Sequence, residues 1–143
     1  LHVRSRRQRQ MCIRDSGYDA QAIVATGGMA AHLGERYGTE ARFVSDLLAE
    51  DADLAEPIVE GLPFTQAEVL YAVRHEMAAT VDDVLSRRMR ARLMARDASG
   101  RAAARVGEII GRELKLSSNE IASQIAGYEA AIAKEKSILT GDY

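Results

Sequence analysis

The sequence predicts an all-α fold of about six helices, and three observations carry that prediction. The 143 residues are 47% hydrophobic but only 5% aromatic and contain no tryptophan, so a core would be built from Ala, Val, Ile, Leu and Met. The only two prolines are Pro57 and Pro63, which leaves the chain after them free to form long helices. Three capping boxes then mark helix starts, and apolar residues recur at helical spacing behind them.

The first sixteen residues differ in composition from the rest of the chain. They carry one aspartate, Asp15, and five arginines: Arg4, Arg6, Arg7, Arg9 and Arg14. Without them 14 basic and 20 acidic residues remain, so the formal net charge changes from −2 to −6. They lack the apolar run of a signal peptide, and RQRQMCIRDS resembles translated sequencing-adapter read-through. We therefore expect residues 1–16 to be a non-native or disordered segment that contributes nothing to the fold.

An alanine- and glycine-rich stretch follows and leads into two short helices. Residues 17–28 form a linker in this interpretation, because each glycine weakens a helix by about 1 kcal/mol relative to alanine. A helix is predicted over Met29–Tyr37, ended by the glycine that follows it. Thr39 then caps a second helix that ends near Asp51. The segment Glu56–Pro63 connects this helix to the next one.

Two capping boxes start the central helices. In Thr65-Gln-Ala-Glu68 the threonine hydroxyl and the glutamate carboxylate can each bind a free backbone N–H, and Phe64 stands where it would pack on Val69. Thr80-Val-Asp-Asp83 is a second box of the same type. Helical spacing predicts two inward faces, the first made of Val69, Leu70, Val73 and Met77 and the second of Val81, Val84, Leu85, Met89 and Leu93.

Two further helices are predicted at the C-terminal end. Asp97–Gly100 interrupts the pattern, so the first of them should begin at about Arg101. Ser117-Ser-Asn-Glu120 is the third capping box and starts the second, which should fray near Leu139. Their apolar positions are Val106, Ile109, Ile110 and Leu114 in the first helix and Ile121, Ile125, Tyr128 and Ile132 in the second.

The densest group of charged residues lies in the central helices. Arg74-His75-Glu76 has the residue types of an acid–base pair, but adjacent helical side chains point about 100° apart and cannot converge on one substrate. Asp83 precedes Arg87 by four residues, which is the favourable order for a helical ion pair. We therefore expect no catalytic, cofactor-binding or metal-binding residue in this chain. The candidates for interdomain or structural ion pairs are Arg74, His75, Glu76, Asp83, Arg87 and Arg88.

Other functional classes find less support in the sequence. The arginine run in Arg87–Arg92 is of a kind that binds phosphate or nucleic acid, but two aspartates lie one turn away and the net charge of −6 disfavours nucleic acid. There is no G-x-G-x-x-G fingerprint, no metal-binding spacing of histidines and no window of roughly 18 apolar residues that could span a membrane. The single cysteine, Cys12, excludes an intrachain disulfide and is compatible with a reducing cytosol.

Several motifs of this chain occur together in one known family. They are Gly17-Tyr18-Asp19-Ala20, the segment His32–Gly38 with Thr39-Glu40-Ala41, Gly61-Leu62-Pro63, Ala67-Glu68-Val69, Tyr71-Ala72, Arg74-His75-Glu76, Asp83, Leu85, Arg87-Arg88-Met89-Arg90 and Gly111–Leu114. In this order they resemble the C-terminal helical domain of FAD-dependent (aerobic) glycerol-3-phosphate dehydrogenases and alpha-glycerophosphate oxidases. Family members commonly carry threonine where this chain has Met89.

The resemblance implies that residues 29–143 form a helical C-terminal cap domain packed on a catalytic domain. Residues 17–28 would be the linker between that catalytic domain and the cap domain. The family's flavin- and phosphate-binding residues lie before the matched motifs, so none of them is transferred to a position in this chain. FAD is therefore implied for the parent protein, and no cofactor is implied for this part. The upstream FAD domain is the implied partner, and a cap domain without it is expected to self-associate through its docking face.

The resemblance also implies a reaction for the parent. Such enzymes oxidise sn-glycerol 3-phosphate to dihydroxyacetone phosphate and pass the electrons to quinone in the dehydrogenases or to oxygen in the oxidases. The implied location is cytoplasmic, with the parent peripheral on the cytoplasmic face of the inner membrane. The alternative from the residues alone is a free-standing helical module that binds nucleic acid or a protein partner.

Overall fold

The computed structural model describes residues 28–140, with side chains described up to residue 138. The predicted non-native or disordered segment 1–16 and nearly all of the predicted linker 17–28 lie outside the described residues. Contacts divide the chain after Glu50 into two compact units. The bounds that we predict for the cap domain, 29–143, stay a prediction.

The first unit contains two α-helices within its described residues. Helix α1 spans Gly28–Tyr37 and helix α2 spans Ala41–Glu50, and the short 3₁₀ turn Gly38–Glu40 joins them. Gly38 has a φ angle of 58°, the left-handed conformation that makes glycine a good helix stop. Thr39, the predicted cap, lies inside the 3₁₀ turn, and the second helix begins two residues later at Ala41 and ends at Glu50, next to the predicted end at Asp51.

The second unit begins with the 3₁₀ turn Ala52–Ala55 and contains the remaining helices. They are α3 (Gln66–His75), a π-helix (Asp83–Arg88), α4 (Ala91–Met94), α5 (Arg96–Leu114) and α6 (Ser118–Thr140). The described part of the chain thus has six α-helices and no strand, and the prediction of an all-α fold is confirmed. None of the helices in this part is both long enough and apolar enough to cross a membrane.

The capping boxes are present where the sequence predicts them. The Glu68 carboxylate accepts the Thr65 backbone N–H at 2.7 Å, and both residues are buried at the start of α3. The Asp83 carboxylate accepts the Thr80 backbone N–H at 3.1 Å, while the Thr80 hydroxyl accepts the N–H of Asp83 at 3.1 Å. Before α6, the backbone N–H and the hydroxyl of Ser117 donate to Glu120 at 2.8 and 2.7 Å. These boxes satisfy N–H groups that a helix start leaves free.

The predicted break at Asp97–Gly100 is wrong, because α5 begins at Arg96 and passes through this segment. Gly100 lies where α5 meets α6, since a Cβ built on it would stand 3.2 Å from Ile132 Cδ1. Ser99 is fully buried, and its hydroxyl donates to the carbonyl of Arg96 at 2.7 Å. Gly100 therefore marks a close approach of α5 and α6, and Ser99 is a buried residue of α5.

Two residues that we predict on inward faces are exposed instead. Met77 is 88% exposed because α3 ends at His75 and Met77 takes the left-handed conformation, with φ at 57°. Leu93 is 82% exposed because the helical period does not continue to it. In the π-helix the Met89 N–H donates to the carbonyl of Val84, five residues earlier. Arg90 then takes a positive φ angle of 58°, which ends the helical period before α4.

The core of the second unit is formed mainly by α3, the π-helix, α5 and α6. The residues Val69, Val84, Leu85, Met89, Val106 and Ile110 are 0–1% exposed and belong to one apolar cluster, with Tyr128 and Ile132 from α6. Helices α5 and α6 pack closely because α5 presents glycines to α6. A Cβ on Gly107 would lie 3.0 Å from Ile125, and a Cβ on Gly111 would lie 2.1 Å from Ile121.

Candidate functional site

Arg74 forms an ion pair inside the second unit with Glu113, which lies near the C-terminal end of α5. The guanidinium donates through Nε to Oε1 at 2.7 Å and through Nη2 to Oε2 at 2.9 Å. This two-bond geometry suits arginine and carboxylate. The hydrogen bonds and charge of Arg74 hold the pKa of Glu113 below its usual value, against the opposing effect of desolvation. The pair therefore ties the end of α3 to the end of α5.

His75 and Glu76 have separate partners, so the Arg-His-Glu triplet does not converge on one point. The His75 ring stacks on the Tyr71 ring one turn earlier, with centroids 4.9 Å apart. The backbone carbonyl of Glu76 accepts two hydrogen bonds from Arg88, through Nε at 3.0 Å and Nη2 at 2.6 Å. A cation at this position satisfies a carbonyl at the end of α3 and complements the negative end of the helix dipole.

Asp83 accepts three hydrogen bonds at the start of the π-helix. Besides the Thr80 N–H, its Oδ2 accepts the Ala79 N–H at 3.2 Å, and its Oδ1 accepts Arg87 Nη1 at 2.8 Å. Desolvation by burial raises the pKa of Asp83, but the hydrogen bonds from Thr80 and Ala79 and the charge of Arg87 outweigh it and lower the pKa overall.

Arg92 is not among the ion-pair candidates that the sequence indicates, yet it contacts two carboxylates. It is 16% exposed and donates to Glu135 on α6 through Nη2 at 2.7 Å and Nε at 3.3 Å. Its Nη1 also contacts Asp82 at 3.3 Å, and its guanidinium carbon stands 5.5 Å from the centre of the Tyr128 ring. The hydrogen bond to Glu135 raises the pKa of Arg92. No local pattern could identify this site, because Arg92 and Glu135 are 43 positions apart.

Next to Arg92, two consecutive hydrogen bonds lead from Tyr128 through Ser99 to the backbone of α5. The Tyr128 hydroxyl, which belongs to a 3% exposed residue, donates to Ser99 Oγ at 3.0 Å. Burial raises the pKa of Tyr128, although the hydrogen bond to Ser99 partly opposes this. Helical spacing places Tyr128 on the apolar face of α6, and its ring lies in the core. Its hydroxyl needs a partner there, and Ser99 is that partner.

An open groove of about 420 Å³ lies beside Arg92 and Tyr128, with Thr80, Asp82 and Gln124 also in its wall. The arginine already contacts two carboxylates, so the groove does not offer a free cation to an anionic ligand. Across the described part of the chain, no group of three or more His, Cys, Asp or Glu side chains is placed to hold a metal ion. These residues also contain no strand, glycine-rich turn and helix in sequence, which dinucleotides require, so no step of flavin chemistry is assigned to them.

The basic run does not form a free cationic surface. Arg87 contacts Asp82 and Asp83, and Arg88 and Arg92 bind the groups described above. Within the run Arg87–Arg92, Arg90 alone makes no ion pair with the described residues, whereas a nucleic-acid site needs several unpaired cations. The geometry therefore does not favour the nucleic-acid alternative.

Comparison with known proteins identifies relatives of this chain. The family described as the C-terminal domain of alpha-glycerophosphate oxidase matches residues 6–121. The match begins inside the segment that we expect to be non-native, and that expectation stays a prediction. The mitochondrial glycerol-3-phosphate dehydrogenase of Arabidopsis thaliana is 38% identical over 86 residues, which are 60% of this chain and 14% of that protein.

Two bacterial relatives give the same picture. The glycerol-3-phosphate dehydrogenase of Mycobacterium leprae is 33% identical over 104 residues, covering 73% of this chain and 18% of the relative. Glycerol-3-phosphate dehydrogenase 1 of Mycobacterium bovis is 43% identical over 70 residues, covering 49% of this chain and 13% of the relative. No solved structure matches the chain. This chain thus spans less than a fifth of the length of each of these relatives, and it belongs to the family of the C-terminal domain of alpha-glycerophosphate oxidase.

Proposed function

We propose that this chain is the C-terminal domain of an FAD-dependent glycerol-3-phosphate dehydrogenase. The parent would oxidise sn-glycerol 3-phosphate to dihydroxyacetone phosphate and pass electrons to quinone. The observation that carries the proposal is the family match over residues 6–121, together with relatives that are named as glycerol-3-phosphate dehydrogenases. FAD would be bound by the part of the parent that precedes this chain.

The role of this domain in the proposal is structural. Its charged side chains bind helix ends and one another: Arg74 binds Glu113, Arg88 binds the carbonyl of Glu76, and Arg87 binds Asp83. The first contact ties the end of α3 to α5, the second ties the π-helix to the end of α3, and the third lies within the π-helix. A rigid helical body of this kind can support a catalytic domain without contributing a reacting group. Any interdomain contact of these residues would be made in addition to the pairs seen here.

The proposal extends to the setting of the parent. We place it in the cytoplasm, peripheral on the cytoplasmic face of the inner membrane, where a quinone acceptor would be accessible. An acceptor of the oxidase type, molecular oxygen, is the alternative. Oxygen consumption, compared with quinone reduction by the same purified parent, distinguishes the two acceptors.

A chimera tests the proposal. Residues 17–143 of this chain would replace the matching C-terminal segment of the Arabidopsis relative, which is 38% identical over the aligned region. The expected result is glycerol-3-phosphate-dependent dye reduction well above that of the relative truncated at the same point. A chimera that folds and retains flavin but is no more active than the truncated relative would contradict the proposal.

The purified chain provides a second test. It should show no glycerol-3-phosphate-dependent dye reduction, with or without added FAD, because the flavin site is assigned to the upstream part. Retention of one flavin per chain through purification would contradict this assignment. An absorbance spectrum between about 350 and 500 nm is enough to decide it.

A further inference from the structure

Helix α4 presents two large apolar side chains to solvent. Leu93 is 82% exposed and Met94, next to it, is 61% exposed. In the described part of the chain they are the only adjacent pair of exposed large hydrophobic residues, since Met29, Met77, Leu114 and Ile138 stand singly. Single exposed apolar residues are ordinary on a protein surface, whereas a contiguous pair on one turn is a candidate contact surface.

This turn is firmly held, so its exposure is not a sign of a loose segment. The residues on both sides of Arg90, Met89 and Ala91, are 1% and 0% exposed. Arg92 fastens the turn to α6 through its two hydrogen bonds to Glu135. The apolar pair is therefore displayed on a rigid support, and a rigid support lowers the entropic cost of docking.

Arg90 adds a cation to the same turn. It is exposed, and its φ angle of 58° is a left-handed conformation that side chains with a Cβ rarely adopt. Its carbonyl accepts the N–H groups of Leu93 at 3.1 Å and Met94 at 3.3 Å, which places the three residues in one turn. The neighbouring Arg87, Arg88 and Arg92 are all paired, whereas Arg90 has no ion-pair partner among the described residues.

We propose that Arg90, Leu93 and Met94 form the surface on which the upstream part of the parent polypeptide docks. The matching surface would be an apolar pocket with a carboxylate at its rim, which Arg90 would bind. This inference rests on the proposed function. The length outside this chain supports it, because the chain covers only 14% of the Arabidopsis relative and 18% of the Mycobacterium leprae relative.

The other charged candidates are less suited to this role. Arg74 and Arg88 already bind groups inside the second unit, so a partner would have to displace those contacts to use them fully. Arg90 can bind a partner without breaking an existing ion pair. Strained residues that are held by well-packed neighbours are also common where a protein contacts a ligand or partner.

Methionine oxidation tests the docking surface with probes that the chain already contains. In the 143-residue chain, dilute hydrogen peroxide should oxidise Met94 and Met77 and spare the buried Met89. In the full-length parent, expressed from the coding sequence that continues upstream, the oxidation rate of Met94 should fall toward that of Met89. Met94 that reacts as fast in the parent as in this chain would overturn the inference.

Matched variants show whether the protection comes from docking. Leu93→Asp in the parent should restore the reactivity of Met94, because docking would then bury a carboxylate in an apolar pocket. Ile138→Asp, at a residue that is 52% exposed on α6, should leave Met94 protected. Likewise Arg90→Ala should weaken the protection of Met94, whereas the control Arg112→Ala, at an arginine of α5, should not. The thermal midpoint of the 143-residue chain should be unchanged by Leu93→Asp, which separates docking from misfolding.

The same experiment distinguishes this inference from the proposed function. Protection of Met94 in a parent that does not oxidise glycerol 3-phosphate would support docking and contradict only the proposed activity. An active parent with a reactive Met94 would leave the activity standing and overturn the docking surface. A reading frame that does not continue upstream would overturn both.

Discussion

Arg92 and Glu135 are separated by 43 positions in the sequence and form a two-bond ion pair that joins α4 to α6. The guanidinium also stands over the ring of Tyr128, whose hydroxyl binds Ser99 inside α5. Arg92 thus joins α4 to α6, and Tyr128 extends the connection from α6 to α5.

Arg92→Ala should lower the free energy of unfolding by about 1–2 kcal/mol, because charge-assisted hydrogen bonds and a ring contact are lost together. Urea unfolding at neutral pH measures the change. Arg101→Ala is the matched control, since Arg101 pairs with Glu60 and the two side chains are 63% and 78% exposed. An exposed pair of this kind contributes little. Equal effects of the two substitutions would show that Arg92 has no special role.

Gly111→Ala should destabilise the chain by about 1–3 kcal/mol, because the added methyl group overlaps Ile121 and forces α5 and α6 apart. The built Cβ lies only 2.1 Å from Ile121 Cδ1 and 2.7 Å from Cγ1. Thermal denaturation followed by circular dichroism measures the loss.

Gly127→Ala is the control for this substitution on the facing helix. No atom lies within 4 Å of a Cβ built there, so alanine should raise stability by about 0.5–1 kcal/mol through its helix propensity. A Gly111→Ala protein that is as stable as the wild type would contradict the close packing of α5 on α6.

Lys115→Gly should raise the free energy of unfolding by about 0.5–1 kcal/mol. Lys115 follows α5 with φ at 56°, a conformation that costs a residue with a Cβ more than it costs glycine. The same glycine within the helix, in Arg112→Gly, should instead cost about 1 kcal/mol. Chemical denaturation measures the change in the free energy of unfolding for each variant. The two changes have opposite signs if Lys115 is a left-handed cap, and the same sign if Lys115 is part of the helix.

The Arg74–Glu113 pair predicts a pH dependence. Because the pKa of Glu113 is lower in the folded chain than in the unfolded one, its contribution is fully present above the unfolded value, near 4.5, and is lost as the pH falls through the folded pKa. The difference in unfolding midpoint between wild type and Glu113→Gln should therefore shrink between about pH 6 and pH 3.

Glu108→Gln is the control for this titration, since Glu108 pairs with Arg105 three residues earlier and both side chains are well exposed. It should change the midpoint little across the same range. If the difference in unfolding midpoint between wild type and Glu113→Gln grew as the pH fell, the result would contradict a lowered pKa of Glu113 in the folded chain.

The parts of the fold that sequence could predict are those with local causes. Thr65 and Glu68 stand three residues apart, and so do Ser117 and Glu120, so their capping boxes are legible without any tertiary knowledge. The partner of Arg74 is 39 positions away, and no local rule could select Glu113 from the other acidic residues. A sequence of this kind therefore shows which residues are charged but not which partner each of them binds.

The errors have two physical causes. Helical periodicity was carried past the end of α3 to Met77 and through the π-helix to Leu93, although in both places a left-handed residue ends the period. Gly100 was interpreted as a break, because a glycine needed for close helix packing looks the same in a sequence as a glycine needed for a turn. Neither cause is visible until the neighbouring helix is in place.

The proposed function requires that the DNA upstream of this chain encode the flavin-binding, catalytic part of the parent. The most direct test is to sequence the source DNA upstream of the codon for Gly17. We expect an open reading frame that continues in frame through a dinucleotide-binding domain with a G-x-G-x-x-G motif near its start. A start codon and a ribosome-binding site directly before this segment would contradict it and would favour a free-standing helical module.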